Sequence, residues 1–189
     1  KCLLLDREND FKLFEKQNPN VWRFSYIERM QIPTEEDVSL LLNQAIGNVD
    51  LWNAIILMSQ AGLRWSEVFK VQWLDIEQSN KISILKLYQG KGRKDRKIAL
   101  SSSFKGKLKD TKTDYVVGCS PNHLRHIWHT VLKNKFIPHS LRAYAITQWS
   151  KKTSNLRLIA DQAGHSNIET LFKYIKWTSQ ELEDLVNNE

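Results

Sequence analysis

Two short apolar segments joined by a glycine-containing basic loop constrain the fold of this chain more than any other feature. The segments run from Lys81 to Leu87 and from Arg96 to Leu100, and residues 89–95 connect them. Apolar residues recur in each segment as expected of half-buried strands, and Gly90 and Gly92 give the connection the backbone freedom of a turn. The pattern predicts an antiparallel β-hairpin with a basic tip.

Helical patterns surround this hairpin on both sides. The clearest helix start is Thr34, whose hydroxyl can accept the backbone amide hydrogen three residues later. The acidic residues 35–37 lie in the first turn, where the helix dipole favours negative charge. Gly47 and Asn48 end this helix, and Gly62 ends the next. Other helices are predicted at residues 1–15, 66–74, 140–151, 155–163 and 166–175, and one begins beyond Pro121. The sequence therefore predicts an α+β fold that is mostly helical, with one small antiparallel sheet.

Length and composition are those of one soluble globular domain with part of a neighbour. The 189 residues are 41% hydrophobic and 26% charged, and no apolar run reaches membrane-spanning length. The opening residues lack the pattern of a signal peptide, so we expect a cytoplasmic protein. We place a boundary near Gln31, which separates residues 1–31 from a domain at 32–189 that ends in a tail helix. Because the first residue is not Met, we expect a further N-terminal domain.

The formal net charge of +7 is unevenly distributed. Between Lys81 and Lys97 the only acid among many basic residues is Asp95, whereas residues 178–189 carry four acids and no base. One face should therefore attract a polyanion. If the polyanion is DNA, we expect three basic residues of the hairpin to contact its phosphates without reading bases, and the binding to depend steeply on salt. These residues are Arg93, Lys94 and Arg96.

Six side chains with the chemistry of phosphoryl transfer occur in order along the chain. They are Arg64, Lys91, His139, Arg142, His165 and Tyr174. Two guanidinium groups can hold the nonbridging oxygens of a phosphodiester, and a lysine at the hairpin tip can protonate the departing 5′ oxygen. A tyrosine oxygen can attack phosphorus when neighbouring Arg and His⁺ lower its pKa from about 10. Each residue alone has a simpler explanation in packing, a surface ion pair or a solvated charge, so the prediction depends on their order and spacing.

This arrangement resembles the catalytic domain of the tyrosine recombinases, the phage-integrase family, over roughly residues 32–180. The matching motifs are Gly62-Leu-Arg64-Trp-Ser-Glu67 for the first arginine box, Gly90-Lys91-Gly-Arg-Lys-Asp-Arg96 for the lysine hairpin, His139-Ser-Leu-Arg142 for the His-x-x-Arg box, Ala163-Gly-His165 for the Leu-Gly-His box, and Tyr174 at the spacing of the nucleophile. Ala163 replaces the usual Leu. The short segment between Leu100 and His139 is similar to that of compact integrases from archaeal viruses and plasmids.

The resemblance implies a site-specific recombinase or integrase of a mobile element. By that similarity the two arginines, the lysine and the two histidines would activate the scissile phosphate, and Tyr174 would attack it to form a 3′-phosphotyrosyl intermediate. The family needs neither metal nor ATP and acts as a dimer or tetramer on double-stranded DNA. Residues 1–31 would be the end of a core-binding domain and its linker. Residues 182–186 of the tail helix could pack on a neighbouring protomer or fold back on their own chain.

Other interpretations of these residues remain open at this point. A type IB topoisomerase has similar chemistry, and the basic hairpin alone would serve a DNA-binding module without catalysis. Lys94 competes with Lys91 for the role of the hairpin lysine. We expect Glu67 to orient Arg64 or to cap the helix locally rather than to take part in chemistry. A metal site is a further alternative, but a helix leaves only adjacent pairs of its candidate ligands on one face, so we predict no metal. These candidate ligands are Cys119, His123, His126 and His129.

Overall fold

The computed structural model describes residues 31–88, 95–133, 135–165 and 169–172. Backbone contacts divide the chain between Gln31 and Ile32, and the helices and strands of the described residues all lie in the second unit. The predicted helix at 1–15, the hairpin tip and the tail helix fall outside these residues. The assignment of residues 1–31 to the end of another domain therefore stays a prediction. In the described part of the chain, no helix is both long and apolar enough to cross a membrane.

Helices dominate the described residues, and a small antiparallel sheet accompanies them. The helices are α1 (Glu35–Gln44), α2 (Val49–Gln60), α3 (Trp65–Val68), α4 (Pro121–Leu132), α5 (Pro138–Ser150), α6 (Leu156–Ala163) and α7 (Glu169–Phe172), and the strands are β1 (Ile76–Gln78), β2 (Ile82–Leu87) and β3 (Arg96–Ser101). Short 3₁₀ turns lie at Trp73–Asp75 and Lys105–Lys107. The predicted fold class, α+β and mostly helical, is confirmed.

Polar side chains fix where four of the helices begin. Thr34 and Asp37 form a reciprocal capping box at α1, in which each side chain accepts the backbone N–H of the other residue. Asn48, Ser120 and Asn155 each accept the amide hydrogen of the residue three positions on, at the starts of α2, α4 and α6. These bonds satisfy amides that have no partner within the helix, so short polar residues mark these boundaries in the sequence.

The sheet contains the predicted hairpin strands and one additional strand. Its order is β1-β2-β3, all antiparallel, and Leu85 of β2 lies between Ile76 of β1 and Ile98 of β3. One face is buried, and it includes Leu85, Leu87, Ile98 and Leu100. β1 has no signal in the sequence, because three residues are too few to show an alternating pattern.

The helix predicted over residues 66–74 is wrong. α3 covers only the first part of this range, and the chain then pairs with a distant segment. The Val116 amide donates to the Val71 carbonyl at 3.0 Å, and the Trp73 amide donates to the Asp114 carbonyl at 3.0 Å. Backbone groups that pair across the fold in this way cannot also continue a helix, so tertiary pairing overrides the local helical pattern.

α2 forms the centre of the hydrophobic core. Its residues Leu51, Ala54, Ile55, Leu57 and Met58 are fully buried, and the helix packs against α1, α4 and α5. On the other side of the domain, β3 packs against α6. This arrangement brings the turn after α2, the first turns of α5, the end of α6 and the start of β3 to one place.

Candidate active site

Four of the six predicted catalytic residues are described, and the structure brings them together. Arg64 is the N-cap residue of α3, His139 and Arg142 lie in the first two turns of α5, and His165 follows Gly164, which ends α6. Gly164 adopts a left-handed conformation with φ of 69°, which turns the chain sharply after the helix. The Arg64 side chain thus contacts Gly164, 100 positions away in sequence, and residues distant along the chain share one cluster of charge.

A buried carboxylate organises this cluster. The side chain of Glu67 is 2% exposed and accepts hydrogen bonds on both oxygens. Its Oε1 accepts from Arg64 Nη1 at 2.7 Å and from Arg96 Nη1 at 3.0 Å. Its Oε2 accepts from the Arg64 backbone N–H at 2.8 Å and from Arg96 Nη2 at 2.9 Å. The prediction that Glu67 orients Arg64 is confirmed, because the carboxylate holds both the backbone and the guanidinium group of that residue.

The position of Arg96 differs from the sequence-based expectation, which placed it against DNA phosphates. Its side chain is 8% exposed, and its two terminal nitrogens form a fork on Glu67. Its Nε donates to the carbonyl of Gln162 at 3.0 Å. A Cβ atom at Gly164 would lie 2.7 Å from Arg96 Nη1, so the guanidinium group also fills the space beside that glycine. The physical reason for the difference is that a buried carboxylate binds the guanidinium group within the protein.

Arg142 is almost fully buried and joins α5 to the α2–α3 turn and to the end of α6. It is 1% exposed, and its Nη1 donates to the Gly62 carbonyl. Its Nη2 donates to the Ala163 carbonyl at 2.7 Å and lies 2.9 Å from His165 Nε2. Arg142 Nη1 is also 3.9 Å from Glu67 Oε2, which supplies a compensating charge. These contacts fix the positions of the α2–α3 turn and the end of α6 relative to α5.

Arg64 is the arginine of the cluster that reaches solvent. Its side chain is 34% exposed, compared with the buried side chains of Arg96 and Arg142. Its Nη2 donates to the carbonyl of Gly164 at 2.7 Å, which ties the guanidinium group to the turn before His165. An anion that approaches from solvent would therefore meet Arg64 first, with the charge of Arg142 behind it.

Both histidines of the cluster favour the neutral form. Burial lowers the pKa of the His165 imidazole to about 3, and the charges of Arg142 and Arg64 contribute next. Burial followed by the same two arginines lowers the pKa of His139. Arginines therefore supply the positive charge of the described cluster, and the effect of His⁺ on the pKa of the tyrosine stays a prediction. Since Arg142 donates to a neutral imidazole at Nε2, the proton of His165 is assigned to Nδ1.

The remaining predicted site residues lie outside the described part of the chain. They are Lys91, Arg93, Lys94 and Tyr174. β2 ends at Leu87 and β3 begins at Arg96, on either side of the three hairpin residues, and α7 ends at Phe172, two positions before Tyr174. The catalytic roles of Lys91 and Tyr174, and the phosphate contacts of Arg93 and Lys94, stay predictions.

The local role of Glu67 could be predicted from the sequence, but its pairing with Arg96 could not. Glu67 stands three residues after Arg64 at a helix start, where a side chain can return to the backbone amide. The contact with Arg96 had no local signal, because 29 residues separate the two in sequence. Pairings of this kind depend on how the sheet packs against the helices.

The candidate metal ligands of the sequence do not form a cluster in the described residues. His123, His126 and His129 lie on exposed positions of α4, and Cys119 is partly buried just before that helix. Burial, followed by the nearby Asp50, raises the pKa of the Cys119 thiol to about 12. Among the residues that the structure describes, no group of three or more His, Cys, Asp or Glu side chains is arranged to hold a metal ion.

Sequence comparison identifies a family and a bacterial relative. The model of the phage integrase family matches residues 33–181. A tyrosine recombinase of Pseudothermotoga lettingae is 29% identical over 187 residues, which covers 90% of this chain and 63% of the relative. The chain thus spans less than two thirds of the length of that protein.

Solved structures show the same fold at low sequence identity. The XerA recombinase has a TM-score of 0.66 and 20% identity, and the match covers 83% of this chain and 64% of that protein. A lambda integrase dimer bound to a COC′ core site has a TM-score of 0.60 and 17% identity, with 80% and 51% of the two chains covered. The packing of the helices and the small sheet is therefore that of recombinase catalytic domains.

Proposed function

Because the chain belongs to the phage integrase family, we propose that it cleaves and rejoins DNA at specific sites through a 3′-phosphotyrosyl intermediate. The observation that supports this most strongly is the convergence of Arg64, Arg142 and His165 around buried Glu67, with His139 close enough to feel the charge of both arginines. Such a cluster stabilises the charge that develops on a phosphodiester under attack, because its donors are held in place before the substrate arrives.

The two arginines have different tasks in this mechanism. Arg64 reaches solvent and can grip a nonbridging oxygen of the scissile phosphate through its planar guanidinium group. Arg142 is enclosed by carbonyls and His165, so it acts as a fixed charge behind the phosphate and holds the imidazole in place. His165, with a pKa of about 3, is a weak base and stays neutral beside Arg142, whose Nη2 lies 2.9 Å from its Nε2.

Tyr174 supplies the nucleophile, and Lys91 supplies the proton. The Tyr174 oxygen attacks phosphorus, the bond from phosphorus to the 5′ oxygen breaks, and Lys91 protonates that oxygen. Neutral His139 accepts the proton that Tyr174 loses. The products are a 3′-phosphotyrosyl ester and a free 5′ hydroxyl. Because the ester keeps the energy of the broken link, a 5′ hydroxyl from another strand reverses the step without ATP or metal.

The substrate in this proposal is double-stranded DNA, bound mainly through its phosphates. The net charge of +7 and the basic hairpin favour a polyanion, and Arg93 and Lys94 contact phosphates from the hairpin tip. Two or four copies of the protein assemble on paired sites in the cytoplasm or at the nucleoid, since exchange of strands requires two cleaved duplexes. The alternative of a type IB topoisomerase has less support, because the similar proteins are recombinases.

The direct test uses a pool of nicked duplexes with randomised sequence around the nick. The nick lies just 3′ of each potential scissile position, so cleavage releases a short fragment that diffuses away. Loss of its 5′ hydroxyl prevents rejoining and traps the covalent intermediate. The proposal predicts a protein adduct on the 5′-labelled strand that survives denaturation. Tyr174→Phe should abolish this adduct and leave DNA binding intact. Absence of an adduct across the pool, or an adduct that persists in Tyr174→Phe, contradicts the proposal.

A further inference from the structure

Arg96 connects three parts of the molecule that the proposed chemistry must align. It is the first residue of β3, which pairs with β2 in the small sheet. Its fork on Glu67 joins this strand to the carboxylate that holds Arg64. Its Nε donates to the carbonyl of Gln162 near the end of α6, two residues before Gly164. A single side chain therefore joins the hairpin, the α2–α3 turn and the end of α6.

A second contact fixes the same strand to the same helix. The side-chain carbonyl of Gln162 accepts the backbone N–H of Ala99 at 2.6 Å, while its backbone carbonyl accepts from Arg96. The base of the hairpin is thus held at two points along β3. Arg96 also fills the space beside Gly164, where a Cβ atom would lie within 3.0 Å of three atoms of its side chain. The turn that leads to His165 packs against this guanidinium group without any side chain between them.

We propose that Arg96 is a positioning residue: through Glu67 and the turn at Gly164 it holds Arg64 and His165 in the geometry that acts on the scissile phosphate. The inference rests on the proposed function, because it takes this cluster as the site of cleavage. The positioning depends on a planar fork that binds both carboxylate oxygens.

The test separates positioning from contact with DNA through two substitutions and a control. Arg96→Gln removes the charge and the fork, whereas Arg96→Lys keeps the charge and loses the fork. Lys97→Gln removes one positive charge from the next residue of the same strand, which lies on an exposed position. Each variant of the full chain is measured for the rate of adduct formation on the nicked pool at saturating protein, and for DNA affinity at several salt concentrations.

Positioning predicts that both Arg96 variants cleave about 10- to 100-fold more slowly, with DNA affinity and its salt dependence unchanged. Lys97→Gln should retain the rate of the unmodified protein. The inference is overturned if the Arg96→Lys variant cleaves at the normal rate. It is also overturned if Arg96→Gln reduces the slope of log affinity against log salt by about one, because the residue then contacts phosphate. Circular dichroism checks the fold, and Arg96→Lys carries the test if Arg96→Gln fails to fold.

Binding of inorganic phosphate separates failure of this inference from failure of the proposed function. If the unmodified protein forms no adduct, the proposed function fails, and Arg96 is then judged by calorimetric titration with phosphate. Weaker phosphate binding by Arg96→Lys supports its role in ordering the cluster, because the charge is kept and only the geometry changes. Equal binding by the variant and the unmodified protein overturns that role.

Discussion

At the scale of single residues, one carboxylate determines how three guanidinium groups are arranged. Glu67 binds Arg64 and Arg96 directly and lies 3.9 Å from Arg142. Without this negative charge, three positive groups would lie close together with two of them buried. The cluster is therefore a network in which the anion offsets the repulsion among the cations.

Replacing Glu67 with glutamine should strongly destabilise the domain. Glu67→Gln leaves the buried charges of Arg96 and Arg142 without their anion, and loss of one partner of a buried pair costs about 3 kcal/mol or more. Urea denaturation measures this as a lower free energy of unfolding. The control is Glu77→Gln, which breaks an exposed pair with Lys86 and should have little effect. Equal effects of the two substitutions would contradict the central role of Glu67.

The depressed pKa of His165 makes stability depend on pH. The imidazole titrates at its ordinary 6.5 in the unfolded chain and at about 3 in the folded protein. Between these values the unfolded chain binds a proton that the folded protein excludes. The stabilisation is fully present above pH 6.5 and is lost as the pH falls toward 3, so the free energy of unfolding should decrease over this window.

Denaturation at a series of pH values checks this expectation. His165→Gln should flatten the decrease between pH 6.5 and 3. His123→Gln removes an exposed imidazole on α4 and should leave the profile unchanged. A profile for His165→Gln that coincides with that of the unmodified protein would rule out the histidine as its source.

At the scale of elements, the turn between α2 and α3 is built on one glycine. Gly62 has φ of 62°, its carbonyl accepts from Arg142, and a Cβ atom there would lie 2.7 Å from the ring of Trp149. A side chain at this position is therefore strained by its backbone conformation and by contact with a rigid aromatic ring.

Gly62→Ala should lower the free energy of unfolding by about 1 to 3 kcal/mol. Thermal unfolding followed by circular dichroism measures the change. Gly47→Ala is the matched control, because a Cβ atom at Gly47 would meet no atom within 4 Å and the residue does not require a left-handed conformation. If the two alanine variants melt at the same temperature, the turn tolerates a side chain and the account of Gly62 is wrong.

The elements that sequence could predict are those with local signals at their ends. Thr34, Asn48 and Ser120 cap helices through contacts within three residues, so the boundaries they mark could be predicted from the sequence. The helix predicted at residues 66–74 is wrong because the pairing of this segment with residues 114–116 determines the path of the backbone. The candidate site follows the same rule: its residue types could be predicted from motifs, but the fork of Arg96 on Glu67 depends on long-range packing.

At the scale of the whole molecule, charge distribution governs the approach to DNA. The basic hairpin should make binding strongly salt-dependent, because each phosphate contact releases a counterion. Replacing Arg93 or Lys94 with glutamine should reduce the slope of log affinity against log salt by about 0.9 each. Fluorescence anisotropy with a labelled duplex measures the slope. Slopes that remain unchanged in both variants would show that the hairpin tip does not contact phosphates.

The central claim is that Tyr174 becomes linked to a 3′ phosphate under the control of the cluster around Glu67. Mass spectrometry of the digested adduct tests it most directly, because trypsin releases Tyr174 in the peptide Tyr174-Ile-Lys176. The account predicts that this peptide carries the nucleotide through the tyrosine oxygen. A nucleotide attached to any other residue would contradict it, and so would an adduct that joins the protein to a 5′ phosphate.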